Sequence, residues 1–194
     1  GQNYRLCSRR ERRLDLFGGE LKVVLCLGFH NNGNSARKPG YRLVADVRGL
    51  GDYYLVTNGK IGLALTIADN SYMGLDSISF LSFEGTPWEI TKSPMRIFPM
   101  GKTNLPASSA SGISTISGKD YFLTFEVKDG KRHLTAHMEN FKGSHPIDID
   151  VTLTGEPEES IVICTPFEKK GHFYYNQKIN CMRAEGTVKM AGMI

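Results

Sequence analysis

The stretch DYYLVTNGKIGLALTIADNSYMGLDSISFLSFE, residues 52–84, decides the fold class. Beyond Asn58-Gly59, Ile61, Leu63, Leu65 and Ile67 alternate with Gly62, Ala64, Thr66 and Ala68, so large apolar side chains recur every second residue. A strand turns such a set to one face, whereas a helix scatters it. Asn58-Gly59 predicts a two-residue type I′ turn, which needs φ > 0 at both central residues. The whole stretch reads as strand, tight turn, strand, polar loop and strand.

The same period recurs downstream. Tyr121, Leu123, Phe125 and Val127 share one face, and Asp129-Gly130 predicts a second two-residue hairpin turn. Leu134, Ala136 and Met138 then oppose His133, Thr135 and His137. Ile147, Ile149, Val151 and Leu153 alternate with Asp148, Asp150, Thr152 and Thr154. Short strands are expected at residues 88–91, 95–98, 113–117, 161–164, 172–175 and 186–190. Upstream, residues 21–29 read as one buried strand, HNNGNSARKPG (residues 30–40) as a loop, and residues 41–47 as extended chain. PMGKTNLPASSASG, residues 99–112, is small, polar and proline-containing, and reads as a flexible connection or a lid.

Counts and spacings set limits on the class. The 21 glycines and 8 prolines spread along the 194 residues suit many short strands rather than a helical bundle. An apolar content of 40% is enough for one continuous core without disulfides. The expected architecture is therefore all-β and antiparallel, a barrel or a strongly curved sandwich of about a dozen strands. The domain is expected over residues 21–194, behind a basic arm at residues 1–20.

That arm explains the charge. Arg5, Arg9, Arg10, Arg12 and Arg13 against Glu11 supply all of the formal +4, leaving the remainder neutral. A nucleic-acid partner needs basic residues collected on the folded body, so none is expected, and the arm reads as a solvated segment or charged edge strand. Cys7, Cys26, Cys164 and Cys181 form no CxxC pair, and buried thiols are the expected reading over disulfides. The apolar run from Val23 to Phe29 is too short to span a bilayer, so no membrane span and a cytoplasmic location are expected.

Few residues announce chemistry. His133 and His137 could share a metal on a helix, but on a strand they stand about 13 Å apart, too far for one ion. They are expected to face solvent, with no metal and no cofactor. Asp148 and Asp150 share a strand face and read as solvated acids. Gly49-Leu50-Gly51 does not continue into a phosphate-binding pattern, and no G-x-S-x-G elbow occurs. More informative is ADNSYMG, residues 68–74, where Asp69, Asn70 and Tyr72 interrupt two apolar strands. It is either a backbone-capped loop or the rim of a binding site. The same alternatives apply to Asn176, Gln177, Lys178 and Asn180, followed by Arg183-Ala184-Glu185-Gly186. Tyr53, Tyr54, Tyr174 and Tyr175 could line an aromatic cavity, or simply bury rings and wet their hydroxyls.

With DYYLVTNGKIGLALTIADNSYMGL (residues 52–75), NQKINCMRAEGTV (residues 176–188) and, more weakly, ESIVICTPF (residues 159–167), the chain resembles the bacterial and fungal proteins catalogued as domain of unknown function 2804. In that family an aromatic commonly precedes the DYY block; here Gly51 does, and the K-Q-N stretch before A-E-G is rearranged. The family is distantly similar to carotenoid hydratases and related cyclases built of two lipocalin-like barrels. The resemblance therefore implies a pocket for an apolar small molecule and, as an alternative, that the chain is the first of two β units.

Three functions follow as expectations. The first is a binding module, with Tyr54, Asp69, Tyr72, Tyr175 and Asn180 orienting a small apolar ligand. The second is a hydratase, isomerase or cyclase on an isoprenoid-like substrate, with Asp69 or Glu185 as a general acid raised in pKa by burial. The third is a structural unit packing on a second β domain or a second copy.

Overall fold

A computed structural model describes residues 13–16, 19–22, 25–30, 50–70, 72–99, 102–103, 105–106, 108–166, 168 and 173–190. The described residues form fifteen strands and no helix. They begin with β1 (Arg13–Leu16), β2 (Gly19–Lys22) and β3 (Leu25–His30). The central unit is β4 (Leu50–Thr57), β5 (Ile61–Asp69) and β6 (Met73–Ser82), followed by the short β7 (Trp88–Lys92) and β8 (Met95–Ile97). A meander of β9 (Gly112–Ser117), β10 (Tyr121–Lys128), β11 (Lys131–Lys142) and β12 (His145–Thr154) comes next. The last three are β13 (Ile161–Pro166), β14 (Phe173–Asn180) and β15 (Arg183–Met190).

These strands make two sheets. One runs β2-β1-β15-β12-β11-β10-β9, the other β13-β14-β3-β4-β5-β6-β7 with β8 also on β6. Both have two ends, so of the two expected architectures the sandwich is the one formed; no barrel closes among the described residues. Pairing is antiparallel throughout except for β1 on β15.

Alternation in the sequence becomes the inner faces of the sandwich. Leu63, Leu65 and Ile67 on β5, with Ile78 and Phe80 on β6, bury against Leu123, Phe125, Leu134, Ile149 and Val151 of the other sheet. Phe80, Phe125 and Phe141 are completely enclosed. Each such side chain contributes about 1.5–3 kcal/mol over leaving it in water. On the outer face of the meander, His133 pairs with Asp150 at 2.8 Å and His137 with Asp148 at 2.7 Å. The two histidines thus lie along one strand, each with its own carboxylate across the ladder. The Asp148 bond, only partly opposed by desolvation, raises the His137 pKa.

Local chemistry departs from expectation in several places. Gly59 has φ of +84°, but Asn58 is not among the positive-φ residues, so the first hairpin is not type I′. Instead Asn58 Oδ1 accepts from the backbone N–H of Lys60 (2.9 Å) and Ile61 (2.8 Å), and Gly59 takes the first central position, as in a type II′ turn. Asp129-Gly130 does have both φ values positive, at 52° and 69°. The expected strand over residues 21–29 is two strands in different sheets, β2 and β3. The extended segment expected at residues 41–47 lies outside the described residues. Edges are uneven. Ile161, Val162 and Ile163 are exposed on β13, the outermost strand of its sheet. No helix among the described residues is long and apolar enough to cross a membrane.

Candidate functional site

At one end of the sandwich the sheets part around a small cavity. From one sheet β4 contributes Asp52 and Tyr54, and β14 contributes Gln177 and Ile179. The facing sheet contributes Ser114 of β9, Val127 of β10 and Arg132 of β11. Pro106, Ser108 and Ser109, on the segment leading into β9, complete the wall. The enclosed volume is about 20 Å³, enough for one water molecule.

Period-two alternation explains how charge enters this interior. Arg132 is in phase with Leu134, Ala136 and Met138, and Asp52 is in phase with Tyr54 and Val56, so both point inward. Arg132 is 4% exposed, Asp52 6% and Ser114 2%. Buried charges need partners. Arg132 Nη2 donates to Glu156 Oε2 at 2.9 Å, Arg132 Nη1 donates to the Tyr54 hydroxyl at 3.4 Å, and Ser114 Oγ donates to Asp52 Oδ2. Burial pulls the Arg132 pKa down, but Tyr54 and Glu156 more than offset it, and the guanidinium stays charged. Its Nε, buried, has no acceptor among the described residues. The Tyr54 ring meets Phe125 of the other sheet edge-on at 4.9 Å, which holds the sheets together beside the cavity. Gln177 fastens the overlying segment by accepting from Ser109 Oγ at 3.0 Å and donating to Ser160 Oγ at 3.0 Å.

A second polar cluster sits along β6. Asp76 is wholly buried, and Arg96 of β8 grips it with two bonds of 2.8 Å, from Nε and Nη2. The Tyr121 hydroxyl donates to the same carboxylate at 2.9 Å. Arg96 also donates to Thr103 Oγ1 (2.9 Å) and the Ala68 carbonyl (3.2 Å), and Thr103 Oγ1 donates to Asp69 Oδ2 (2.7 Å). A Cβ on Gly74 would lie 2.7 Å from Arg96 Cζ, so the glycine makes room for the guanidinium. Burial and the Asp76 bond push the Tyr121 pKa up to about 12. The Arg96 bonds to Asp76 and Ala68 fasten β8, the Thr103 bond to Asp69 fastens residue 103, and the Tyr121 bond ties β10 of the facing sheet to β6.

The residues singled out from sequence are thus dispersed. Tyr54 lines the cavity, whereas Asp69, 2% exposed, belongs to the Arg96 cluster. ADNSYMG is mostly strand rather than insertion: pairing runs out to Asp69 and Gly74, and Asn70 N–H donates to the Met73 carbonyl at 2.8 Å. Tyr72, 56% exposed, groups instead with exposed Met95, Ile97 and Phe98 around β8. Asn180 lies on β14, its buried Oδ1 without a partner among the described residues. Glu185 is exposed on β15 opposite Thr152, so the burial invoked for a general acid is absent there. Tyr175 falls on β14, but its side chain is outside what is described. Cys181 is half-buried and forms no disulfide among the described residues. Gln177, one of the polar residues offered by the sequence as a site rim, does line the cavity, whereas Asp52, Ser114 and Arg132 were not singled out, although the phase of Arg132 and Asp52 in their strands carries the signal.

The family model described as "Domain of unknown function (DUF2804)" matches residues 51–193. The chain belongs to the DUF2804 family. No curated protein and no solved structure gives a match. The DUF2804 match takes in every residue lining the cavity and the whole Arg96 cluster.

Proposed function

We propose that this DUF2804 domain binds a small, mostly apolar molecule in the cleft between its sheets, beneath Pro106, Ser108 and Ser109. The observation that carries this reading is a buried arginine and a buried aspartate lining one cavity between the sheets, together with apolar side chains. Ligand sites characteristically combine apolar walls with a few placed polar groups. Here Tyr54, Val127 and Ile179 supply the walls, while Arg132, Ser114 and Asp52 supply the polar groups. The cavity of about 20 Å³ is too small for an organic molecule, so entry requires the wall formed by Ser108 and Ser109 to swing outward. That segment is held to β14 by the Ser109–Gln177 bond, which is readily exchanged for water.

Titration of the purified protein with a fluorescent apolar dye, beside native mass spectrometry for co-purifying molecules, tests the proposal. One equivalent should bind, and Val127→Phe, which fills the cleft, should abolish binding while the circular dichroism stays that of a sheet protein. Undiminished binding in Val127→Phe would place the dye elsewhere, for instance on Tyr72, Met95, Ile97 and Phe98, and end the proposal.

A further inference from the structure

Where β8 lies on β6, four large apolar side chains stand more than half exposed: Tyr72 at 56%, Met95 at 67%, Ile97 at 82% and Phe98 at 65%. We propose that this cap docks the domain on an anionic lipid surface, its apolar side chains entering the interfacial layer while Lys92 and Lys102 meet the headgroups.

The cap is held in shape. Arg96, between Met95 and Ile97, turns inward to the buried Asp76 with two bonds of 2.8 Å, so its two neighbours on the strand face outward. Met95 pairs with Leu75 and Ile97 with Met73, which continues the same apolar face onto β6. The Asp76 N–H donates to the Pro94 carbonyl at 3.1 Å and the Phe98 N–H to the Tyr72 carbonyl at 3.0 Å, securing β8 at both ends. Phe98 has φ of +51°, a conformation uncommon for residues other than glycine. Exposed apolar residues scattered singly need no explanation, whereas a contiguous group marks an interaction surface.

Charge selects the occupant. From Ile90 to Lys119 the chain carries four basic residues and no acid. Arg96 is paired with Asp76, whereas Lys92 and Lys102 are exposed, one on each side of β8 along the chain. The acids of the adjoining strands, Asp69 and Asp76, are buried and present no charge at the surface. Lysines near an anionic leaflet are attracted to it, and apolar side chains reaching the headgroup boundary supply the remaining affinity. Tyr72 suits that depth, with an apolar ring and a hydroxyl that stays wet. A second copy seated on the cap would bring Lys92 and Lys102 up against their own counterparts, which disfavours self-association.

The test is co-sedimentation of the full chain with vesicles of phosphatidylcholine alone and of phosphatidylcholine with phosphatidylserine in equal parts. Binding to the anionic vesicles should be about tenfold or more tighter than to the neutral ones, and high salt should shrink the difference. A double variant, Met95→Ser with Ile97→Ser, changes only exposed side chains, so it should melt like the parent yet bind anionic vesicles about tenfold or more weakly. Lys92→Gln with Lys102→Gln should bring anionic binding down about tenfold, towards the neutral value. No sedimentation with anionic vesicles overturns the inference. Sedimentation indifferent to the Met95 and Ile97 changes also overturns it, since the basic residues between 5 and 13 would then be the cause. So does a concentration-dependent dimer, seen by ultracentrifugation and abolished by the same double variant, which would give the cap to a second copy.

Discussion

Replacing Arg96 with methionine removes both charge-assisted bonds to Asp76 and leaves that carboxylate, with no exposed surface, only the Tyr121 hydroxyl as a side-chain donor among the described residues. Deleting one partner of a buried ion pair costs about 3–5 kcal/mol, because the surviving charge keeps its desolvation penalty. The Arg96 side chain is 20% exposed, so water reaches part of the pair and the lower end, about 3 kcal/mol, applies. Asp76→Asn should cost about 2 kcal/mol, since the amide keeps the shape and Arg96 keeps Thr103 and the Ala68 carbonyl. Because the two residues act through one contact, the double variant should be less destabilised than the sum, by about 2 kcal/mol. Equilibrium urea unfolding of the four proteins reads all three quantities. Single variants within about 0.5 kcal/mol of the parent, with no coupling, would show that β8 is not fastened through this pair.

Two other perturbations have signs fixed by the structure. Gly186 has φ of +153°, and a Cβ there would sit 2.0 Å from the Asp150 carbonyl oxygen, so Gly186→Ala must push β15 from β12 and should cost about 3 kcal/mol or more. Gly130→Ala, at φ +69° with nothing within 4 Å, should cost only about 1–2 kcal/mol, and equal losses in denaturant melts would contradict the reasoning. The Tyr121 pKa is raised to about 12 in the folded protein, so its contribution is complete below the ordinary tyrosine value of 10 and disappears as pH rises from 10 to about 12. Tyr121→Phe should be less stable near neutrality and lose less over that alkaline range; parallel pH profiles would exclude the Asp76 bond as the cause.

Local alternation was enough to read the strands of the central unit and the meander, because a period of two is recorded residue by residue in Leu63, Leu65 and Ile67 or Ile147, Ile149 and Val151. Closure was not legible. Whether a sheet joins itself or packs on another depends on distant pairings such as β1 on β15 and β14 on β3, and nothing in either segment alone names its partner. The Asn58-Gly59 turn shows a finer limit: the dipeptide marks the bend, but the turn that forms is the one in which Asn58 Oδ1 accepts from the Lys60 and Ile61 N–H groups. Asp69 and Tyr72 stood out in the sequence because they interrupt apolar runs, yet the cavity is built from polar residues that keep the apolar phase. Arg132 is the instructive case. Flanked by Lys131 and His133 it looks like surface charge, and only its register with Leu134 and Ala136 betrays it.

Among the described residues β13 ends its sheet, and that edge carries a liability of a different order. Ile161, Val162 and Ile163 present successive exposed β-branched side chains on the outermost of the described strands of this sheet, a pattern that invites strands of other molecules to add on. No acid or base interrupts the strand; Glu158, Glu159 and Glu168 stand at its two ends as gatekeepers. Neutralising those glutamates should therefore lower solubility, read by light scattering, while the melting curve stays where it was.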